Sequence, residues 1–294
     1  MFEAFGELDL DDLRASLESA SWAWIAVAFV FAQLPRLTQA ISTMGSVPAR
    51  LPFVPVYTMQ LATGYMNLAL PSNLARMAVN IRFFQRQGVP PAVAVAGGAI
   101  DSFASTVIQG LLLATLLLFS LSSVTLDLDL PSADSAWVLL VLVLAVVAAI
   151  AAALLVRRIR TAIVVRVRTW WPEVKAALVG LRASHKLALL VGGSLATELL
   201  FATALGLFAR GLGYDLSLAD LLLVNISASL LSSFVPIPGG IGVAEFGLTV
   251  GLVAAGMPEE TALATALLYR IATFYVPPVW GFFAMGWLRR NEFL

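Results

Sequence analysis

The chain has 294 residues, of which 60% are hydrophobic and 12% are charged, and its formal net charge is zero. This composition leaves too little polar surface for a soluble protein, so it predicts one all-α polytopic membrane domain over residues 1–294. The chain has no cysteine and one histidine, which excludes disulfides and thiol nucleophiles and argues against a zinc site. We expect no cofactor and no nucleic-acid partner.

The N-terminal stretch predicts an interfacial helix followed by a first span. Residues 2–19 combine acidic residues with spaced leucines, which is typical of a short amphipathic helix at the membrane interface. The first span runs from Ser21 to about Thr43. Pro35 and Arg36 interrupt it, and an arginine at this depth needs a partner or water.

A broken helical hairpin is predicted next. Pro71, with Ser72 or Asn73 behind it, has the pattern of a helix that restarts with an N-cap inside an apolar stretch. The following segment, Val89 to Ser120, is long enough to cross the membrane and contains Asp101. The sequence therefore predicts a span, a broken hairpin and a second span in this half.

The middle of the chain predicts a linking helix and a basic surface helix. Residues 136–156 are uncharged and long enough to cross roughly 30 Å of hydrocarbon. Residues 157–186 are rich in arginine and contain two tryptophans, which indicates a cytoplasmic interfacial helix. Residues 187–209 then cross again, with Glu198 near the centre.

A second helix break is predicted between Ser233 and Gly242. Two prolines and three glycines lie within this apolar stretch, and Glu245 follows it at once. Gly239 and Gly240 would let backbone N–H groups approach a ligand. Such a break is tolerated in a membrane only where protein buries it or where it lines a cavity. A glycine-rich loop at the membrane surface is the alternative.

The two halves of the chain resemble each other. The last span covers about residues 262–287, and similar Pro and Gly motifs recur at an offset of about 168 residues, as in Pro71 and Pro238. Between equivalent positions of the two halves, the chain crosses the membrane an odd number of times, so the two halves have opposite orientations in the membrane. We therefore predict two inverted repeats, at 20–120 and 187–290, each with a broken re-entrant hairpin, joined by the linking helix. Chance similarity of two apolar segments is the alternative.

The distribution of charged residues predicts the orientation. Basic residues concentrate at 157–186 and at Arg289 and Arg290, which the positive-inside rule assigns to the cytoplasm. The acidic stretches at 127–134 and 215–220 and the acidic N-terminus then lie outside. These assignments are consistent with one another only if each broken hairpin returns to the side of the membrane from which it entered. We expect a multi-pass protein of the plasma (inner) membrane, with its C-terminus in the cytoplasm.

Six ionisable residues fall near the membrane midplane or the helix breaks: Arg36, Arg76, Asp101, Glu198, Glu245 and Arg270. An isolated charge there costs on the order of 2.5 to 3.5 kcal/mol, so these residues must be paired or hydrated. One interpretation is that they only pair with one another and fix the packing of the helices. The other is that they also serve a binding site, with Arg36, Asp101, Glu198 and Glu245 forming ion pairs or coupling protons.

Arginine side chains and the N-terminal ends of helices that restart after a break are both suited to binding a phosphate. A guanidinium offers a planar fork of donors, and the N-terminal end of a helix attracts negative charge. The predicted substrate-binding residues are two arginines and the residues at the two breaks: Arg76, Arg270, Pro71, Ser72, Asn73, Gly239 and Gly240.

The motif from Pro236 to Glu245, read with the later Gly256-Met-Pro, Leu268-Tyr-Arg and Pro277-Pro motifs, resembles the signature of the lysylphosphatidylglycerol synthase transmembrane family, also described as flippase-like. In its bifunctional members this region translocates an aminoacylated phospholipid, which a soluble C-terminal domain makes. The chain ends soon after its last span, so we expect a stand-alone member without synthase activity.

The resemblance and the charges together favour a lipid translocase that is not an enzyme. We expect it to move an anionic phospholipid, or a lipid-linked phosphate or glycolipid, by alternating access. It has no ATP-binding motif, so it would equilibrate lipid or use an ion gradient, and Arg270→Ala should abolish transport in a folded protein. The alternatives are a non-transporting partner of a lipid synthase or glycosyltransferase, and a membrane-embedded lipid-modifying enzyme. A homodimer is one alternative for the assembly.

Overall fold

The computed structural model describes residues 20–68, 72–122, 184–234 and 237–294. Several predicted features lie outside these residues, namely the N-terminal amphipathic helix, the linking helix at 136–156, most of the interfacial helix at 157–186, and Pro71.

Every element in the described residues is helical, which confirms the all-α class there. The α-helices are α1 (Trp22–Phe31), α2 (Pro35–Gly45), α3 (Phe53–Met66), α4 (Ser72–Arg86), α5 (Pro91–Ser122), α6 (Ser184–Gly211), α7 (Leu218–Phe234), α8 (Val243–Ala254), α9 (Glu259–Arg270) and α10 (Pro277–Arg290). A 3₁₀ turn, Pro238–Gly240, lies between α7 and α8, and a π turn, Ile271–Tyr275, lies between α9 and α10.

The outer surface of these helices is apolar. Four helical stretches in the described residues are long and apolar enough to cross a membrane: Trp22–Gly45, Pro91–Leu117, His185–Gly211 and Glu259–Arg290. The most exposed large side chains on them are 62% to 70% exposed, namely Trp22, Val30, Phe103, Leu111 and Phe283. So much exposed apolar surface fits lipid and not water. The protein is therefore embedded in a membrane and crosses it several times.

The first span is broken where the sequence predicts it. α1 ends at Phe31, a turn covers residues 32–34, and α2 begins at Pro35. Proline is well suited to the first position of a helix, because its missing N–H would have no intrahelical partner there in any case.

The last span contains a break that the sequence analysis did not predict. The π turn at Ile271–Tyr275 separates α9 from α10. Its cause is Pro277, which has no N–H to donate to the carbonyl of Thr273 four residues before it. The Val276 N–H donates to the carbonyl oxygen of Ile271, five residues earlier and not four, at 2.9 Å. The backbone ladder is therefore interrupted inside the span.

The two broken spans meet at their breaks. Gln33 Nε2 donates to the carbonyl oxygen of Ala272 at 2.9 Å, and Arg36 Nη2 donates to that of Thr273 at 3.1 Å. Both carbonyls lie in the π turn, just before the two consecutive prolines. Gln33 and Arg36, at the turn between α1 and α2, thus satisfy backbone acceptors that the π turn leaves without a helical donor.

The buried core joins each end of the described chain to the opposite half. α1 contributes Ile25 and Ala28 to a cluster otherwise formed by α6 to α9, which includes Phe208. α10 contributes Leu288 to a second cluster formed with α2 to α5, which includes Phe83. The two halves are therefore interlocked.

α2 and α6 form a tight seam between the halves. A Cβ added to Gly193 would lie only 2.6 Å from the backbone nitrogen of Ser42, so the two backbones are almost in contact. Hydroxyl pairs line the same seam, with Ser42 and Ser194 joined at 2.9 Å and Thr38 and Thr197 at 2.7 Å. Small residues and interhelical hydrogen bonds are the usual means of packing helices in a membrane.

Candidate functional site

A cavity of about 270 Å³ lies among the helices, and its walls come from α2 to α9 and from both irregular turns. Its lining includes three arginines, Arg36, Arg76 and Arg270, and one acid, Glu198. Most of the other lining residues carry hydroxyl or amide groups. A polar cavity inside an apolar helical bundle is the arrangement expected of a site for a polar group.

Three glycines shape the second helix break. Gly239, Gly240 and Gly242 have φ angles of +65°, +61° and +84°, in the left-handed region that disfavours other residues. The Gly240 N–H donates to the carbonyl of Ile237 at 2.9 Å, so it closes the turn. Gly239 lines the cavity. The break predicted at this position is present, and its glycines serve the backbone conformation.

The second break is held by an ion pair between α8 and α9. Arg270 Nε donates to Glu245 Oε1 at 2.8 Å, and its Nη2 donates to the Gly239 carbonyl at 3.0 Å. The other oxygen of Glu245 accepts the Gly242 N–H at 2.7 Å, which caps the start of α8. The Arg270 guanidinium also lies 4.2 Å from the ring centroid of Phe274. Arg270 is therefore fixed at the cavity wall.

An equivalent pair joins α4 to α5. Arg76 Nε donates to Asp101 Oδ2 at 2.9 Å. Asn80 donates to the same oxygen at 2.9 Å, and Thr43 donates to Asp101 Oδ1 at 3.2 Å. Asp101 is fully buried and does not line the cavity, whereas Arg76 does. The acid thus supports the arginine from behind, as Glu245 supports Arg270.

Arg36 and Glu198 have no ionic partner within 4.0 Å among the described residues. Arg36 donates to Gln39 Oε1 and to the Thr273 carbonyl, both at 3.1 Å. Glu198 Oε1 accepts from Gln109 Nε2 at 2.9 Å. Among the described residues, the cavity therefore contains one cation and one carboxylate whose hydrogen-bond partners are all neutral.

The structure brings all six predicted ionisable residues to this cavity or directly behind it. Of the predicted residues at the first break, Pro71 lies outside the described residues, and so do the side chains of Ser72 and Asn73. One wall of the cavity, the polar face of α5, was not predicted from the sequence. It carries Ser102, Ser105, Thr106 and Gln109, and this three-to-four-residue spacing in an apolar span was the available signal.

The arrangement can bind an anion. Arginines supply charged donors to the cavity, and two of them are held in place by buried acids. Among the described residues, no group of three or more His, Cys, Asp and Glu side chains is placed to hold a metal ion.

Comparison with known protein families identifies the family of the chain. No curated protein is similar to the chain. The family model for the lysylphosphatidylglycerol synthase TM region matches residues 1–281, a range that includes all six predicted ionisable residues. The chain belongs to the lysylphosphatidylglycerol synthase transmembrane-region family.

Proposed function

We propose that this protein is a lipid translocase and not an enzyme. A headgroup that carries a phosphate enters the cavity between the two halves, and its acyl chains stay in the surrounding lipid. The substrate is an anionic phospholipid or a lipid-linked phosphate or glycolipid. Membership of a family related to lipid handling supports this proposal.

The observation that carries the proposal is that Arg36, Arg76 and Arg270 line one polar cavity in a membrane-embedded bundle. The paired acids offset the charges of Arg76 and Arg270. Arg36 has only neutral acceptors among the described residues. A guanidinium without a carboxylate is costly in a membrane, and a phosphate is the group that such a fork of donors binds best.

Alternating access would come from movement of two inverted repeats against each other. Two features support this part of the proposal. Each half has an ion pair between residues 25 positions apart, which links the helix after the break to the next span. In addition, α1 packs in the hydrophobic core of the second half, and α10 packs in that of the first half. Transporters built from inverted repeats place their sites between such discontinuous helices.

The proposal also includes a residue for proton coupling and an orientation of the protein in the membrane. Asp101 and Glu245 are each tied to an arginine, so a proton relay would use Glu198, whose contact is the amide of Gln109. The protein would lie in the plasma (inner) membrane with its C-terminus in the cytoplasm, because Arg289 and Arg290 stand at the end of the last span.

The test is reconstitution into liposomes that contain fluorescent headgroup-labelled anionic lipid. The fraction of label reached by a membrane-impermeant quencher is measured for the parent protein and for Arg36→Gln. This variant removes a cavity cation without leaving a carboxylate unpaired, and thermal unfolding of the variant checks the effect of losing its hydrogen bond to the Thr273 carbonyl. Arg290→Gln, at an exposed arginine near the end of α10, is the matched control.

We expect transport by the parent and by Arg290→Gln, and a loss of at least about tenfold in Arg36→Gln, which is the effect of about 1.4 kcal/mol of lost binding to the transition state. Equal transport by both variants would remove Arg36 from the site. Absence of transport by the parent, together with stable co-purification of a lipid synthase or glycosyltransferase, would favour the partner role.

A further inference from the structure

Two consecutive prolines leave two carbonyl groups of the last span without a helical donor. In a regular α-helix the Ala272 carbonyl accepts from the Val276 N–H, but here that N–H donates one residue further back. The next residue, Pro277, has no N–H. The Thr273 carbonyl is followed at four and five residues by Pro277 and Pro278, and neither can donate to it. The π turn is therefore a weak point in the backbone of this span.

The first span has a similar gap, and one side chain fills both. The Gln33 N–H donates to the Val30 carbonyl, three residues back, at 3.1 Å, so the Phe29 carbonyl loses its usual donor. Gln33 Nε2 donates to the Phe29 carbonyl at 3.2 Å and to the Ala272 carbonyl at 2.9 Å. A primary amide has two N–H donors, and Gln33 uses both. Gln33 thus bridges the two broken spans, and it does not line the cavity.

Arg36 makes the second link between the two breaks, and this link lies at the cavity. Its Nη2 donates to the Thr273 carbonyl and its Nη1 to Gln39 Oε1, both at 3.1 Å. Arg36 lines the cavity, and both of these acceptors are neutral. An anionic acceptor forms a stronger hydrogen bond with a guanidinium than a carbonyl does. An anion in the cavity would therefore compete with Thr273 for Arg36 and leave the Gln33 bridge in place.

The helix after the π turn is packed on a wall of the cavity. A Cβ added to Gly281 of α10 would lie 2.6 Å from the carbonyl oxygen of Leu61 in α3, so these two helices are almost in backbone contact. The rings of Tyr65 and Phe282 pack edge to face between them, with centroids 5.7 Å apart. Thr63 of α3 lines the cavity. A change of angle at the π turn would move α10 and α3 together, and with them this wall.

We propose that the π turn is the hinge of this wall, and that Arg36 controls the hinge by changing its partner. In the present arrangement, Gln33 and Arg36 both hold the open carbonyls of the turn. A phosphate-bearing anion in the cavity takes the guanidinium from Thr273, and Gln33 alone then holds the turn. The inference rests on the proposed function, which supplies the anion. The Gln33 bridge does not depend on it.

Hydrogen exchange at residues 271–280 measures how firmly the turn is held. The purified full chain is kept in dodecyl maltoside, a detergent without phosphate. Exchange is followed by mass spectrometry before and after the addition of short-chain phosphatidylglycerol or of inorganic phosphate. We expect phosphatidylglycerol to accelerate exchange in this segment roughly tenfold, the effect of losing one hydrogen bond from a charged donor.

Three variants separate the two links. Gln33→Met removes both amide donors at similar side-chain length, so exchange should be roughly tenfold faster before any anion is added. Arg36→Gln should lose the response to phosphatidylglycerol, which general destabilisation would not remove. Pro277→Ala supplies an N–H four residues after Thr273, so it should slow exchange and weaken the response.

The control is Gln85→Met on α4, outside both broken spans, which should behave as the parent does. Thermal unfolding of each variant shows that it is folded, and Pro277→Ala tests the hinge if Gln33→Met is not. Unchanged exchange in Gln33→Met would overturn the bridge. An equal response in the parent and in Arg36→Gln would overturn the change of partner.

These outcomes are distinct from failure of the proposed function, which the liposome assay measures. Normal lipid transport by the parent beside either contrary exchange result would overturn the hinge and keep the translocase. The expected exchange pattern in a parent that transports no lipid would keep the hinge and remove the translocase. A response to inorganic phosphate alone would support the change of partner and count against a lipid headgroup.

Discussion

Arg270 Nε lies 2.8 Å from Glu245 Oε1, and the two residues are 25 positions apart in the chain. Arg76 and Asp101 are also 25 positions apart and are joined at 2.9 Å, but the order of their charges is reversed. The first pair connects α4 to α5, and the second connects α8 to α9. The attraction between two charges does not depend on which helix carries which sign. Reversed pairs can therefore join these two pairs of helices in the same way.

Exchanging the charges of the second pair tests this equivalence. We expect Glu245→Arg and Arg270→Asp each to lower the stability by about 3 kcal/mol, because either change alone places like charges together in a buried site. The double variant has the charge order of the first half and should recover at least half of the loss. Thermal unfolding in detergent, followed by tryptophan fluorescence, measures all three.

The stability of the double variant distinguishes the contribution of the ion pair from that of the other contacts of Glu245. Its carboxylate also accepts hydrogen bonds from the Gly242 N–H and from the Tyr275 hydroxyl, at 2.7 and 2.9 Å. A double variant no more stable than either single one would mean that these neutral contacts, and not the pair, hold the break.

Gly193→Ala should disrupt the seam between α2 and α6. The added Cβ would approach the backbone nitrogen of Ser42 at 2.6 Å and the carbonyl oxygen of Thr38 at 2.8 Å, and backbone cannot move aside. We expect a loss of about 2 kcal/mol, typical of overpacking. Gly192→Ala is the matched control, because nothing lies within 4 Å of its added Cβ. It should gain about 0.5 kcal/mol from helix propensity. Equal stability of the two variants in thermal unfolding would contradict the close packing.

Gly239→Ala should destabilise the second break. Its φ of +65° is unfavourable for alanine, and the added Cβ would overlap the ring of Phe274. We expect a loss of about 2 kcal/mol or more, since strain and overlap add. Gly110→Ala on α5 is the control, because its Cβ would enter open space in a regular helix. Thermal unfolding measures both, and a Gly239→Ala variant as stable as the parent would show that residues 237–242 can adopt another conformation.

Lys186 is expected to stabilise the end of α2. Its Nζ donates to the carbonyl oxygens of Met44 and Ala49, at 2.9 and 2.7 Å, and a cation at a helix C-terminus complements the helix dipole. Lys186→Met leaves both acceptors without this donor, so we expect a loss of about 2 kcal/mol. His185→Met changes the neighbouring exposed residue and should have little effect. Hydrogen exchange at residues 43–50 provides the local measurement, and unchanged exchange in Lys186→Met would contradict this role.

The amino-acid sequence by itself determined the membrane class, the all-α character and two of the helix breaks. These properties depend on composition and on local backbone chemistry, since Pro35 must begin a helix and the glycines after Pro238 allow a turn that other residues resist. It also identified the ionisable residues, because a charge in an apolar stretch is conspicuous wherever the helices pack.

Only the tertiary structure decided how these residues are used. Partners depend on which helices are adjacent. The sequence could therefore not assign Asp101 to Arg76, and it could not show that Arg36 and Glu198 have no ionic partner in the described part of the chain. The π turn at Ile271–Tyr275 was also missed, although its cause is the local Pro277. Its exposed carbonyls are tolerated because side chains from another span reach them, and that contact exists only once the two broken spans pack together.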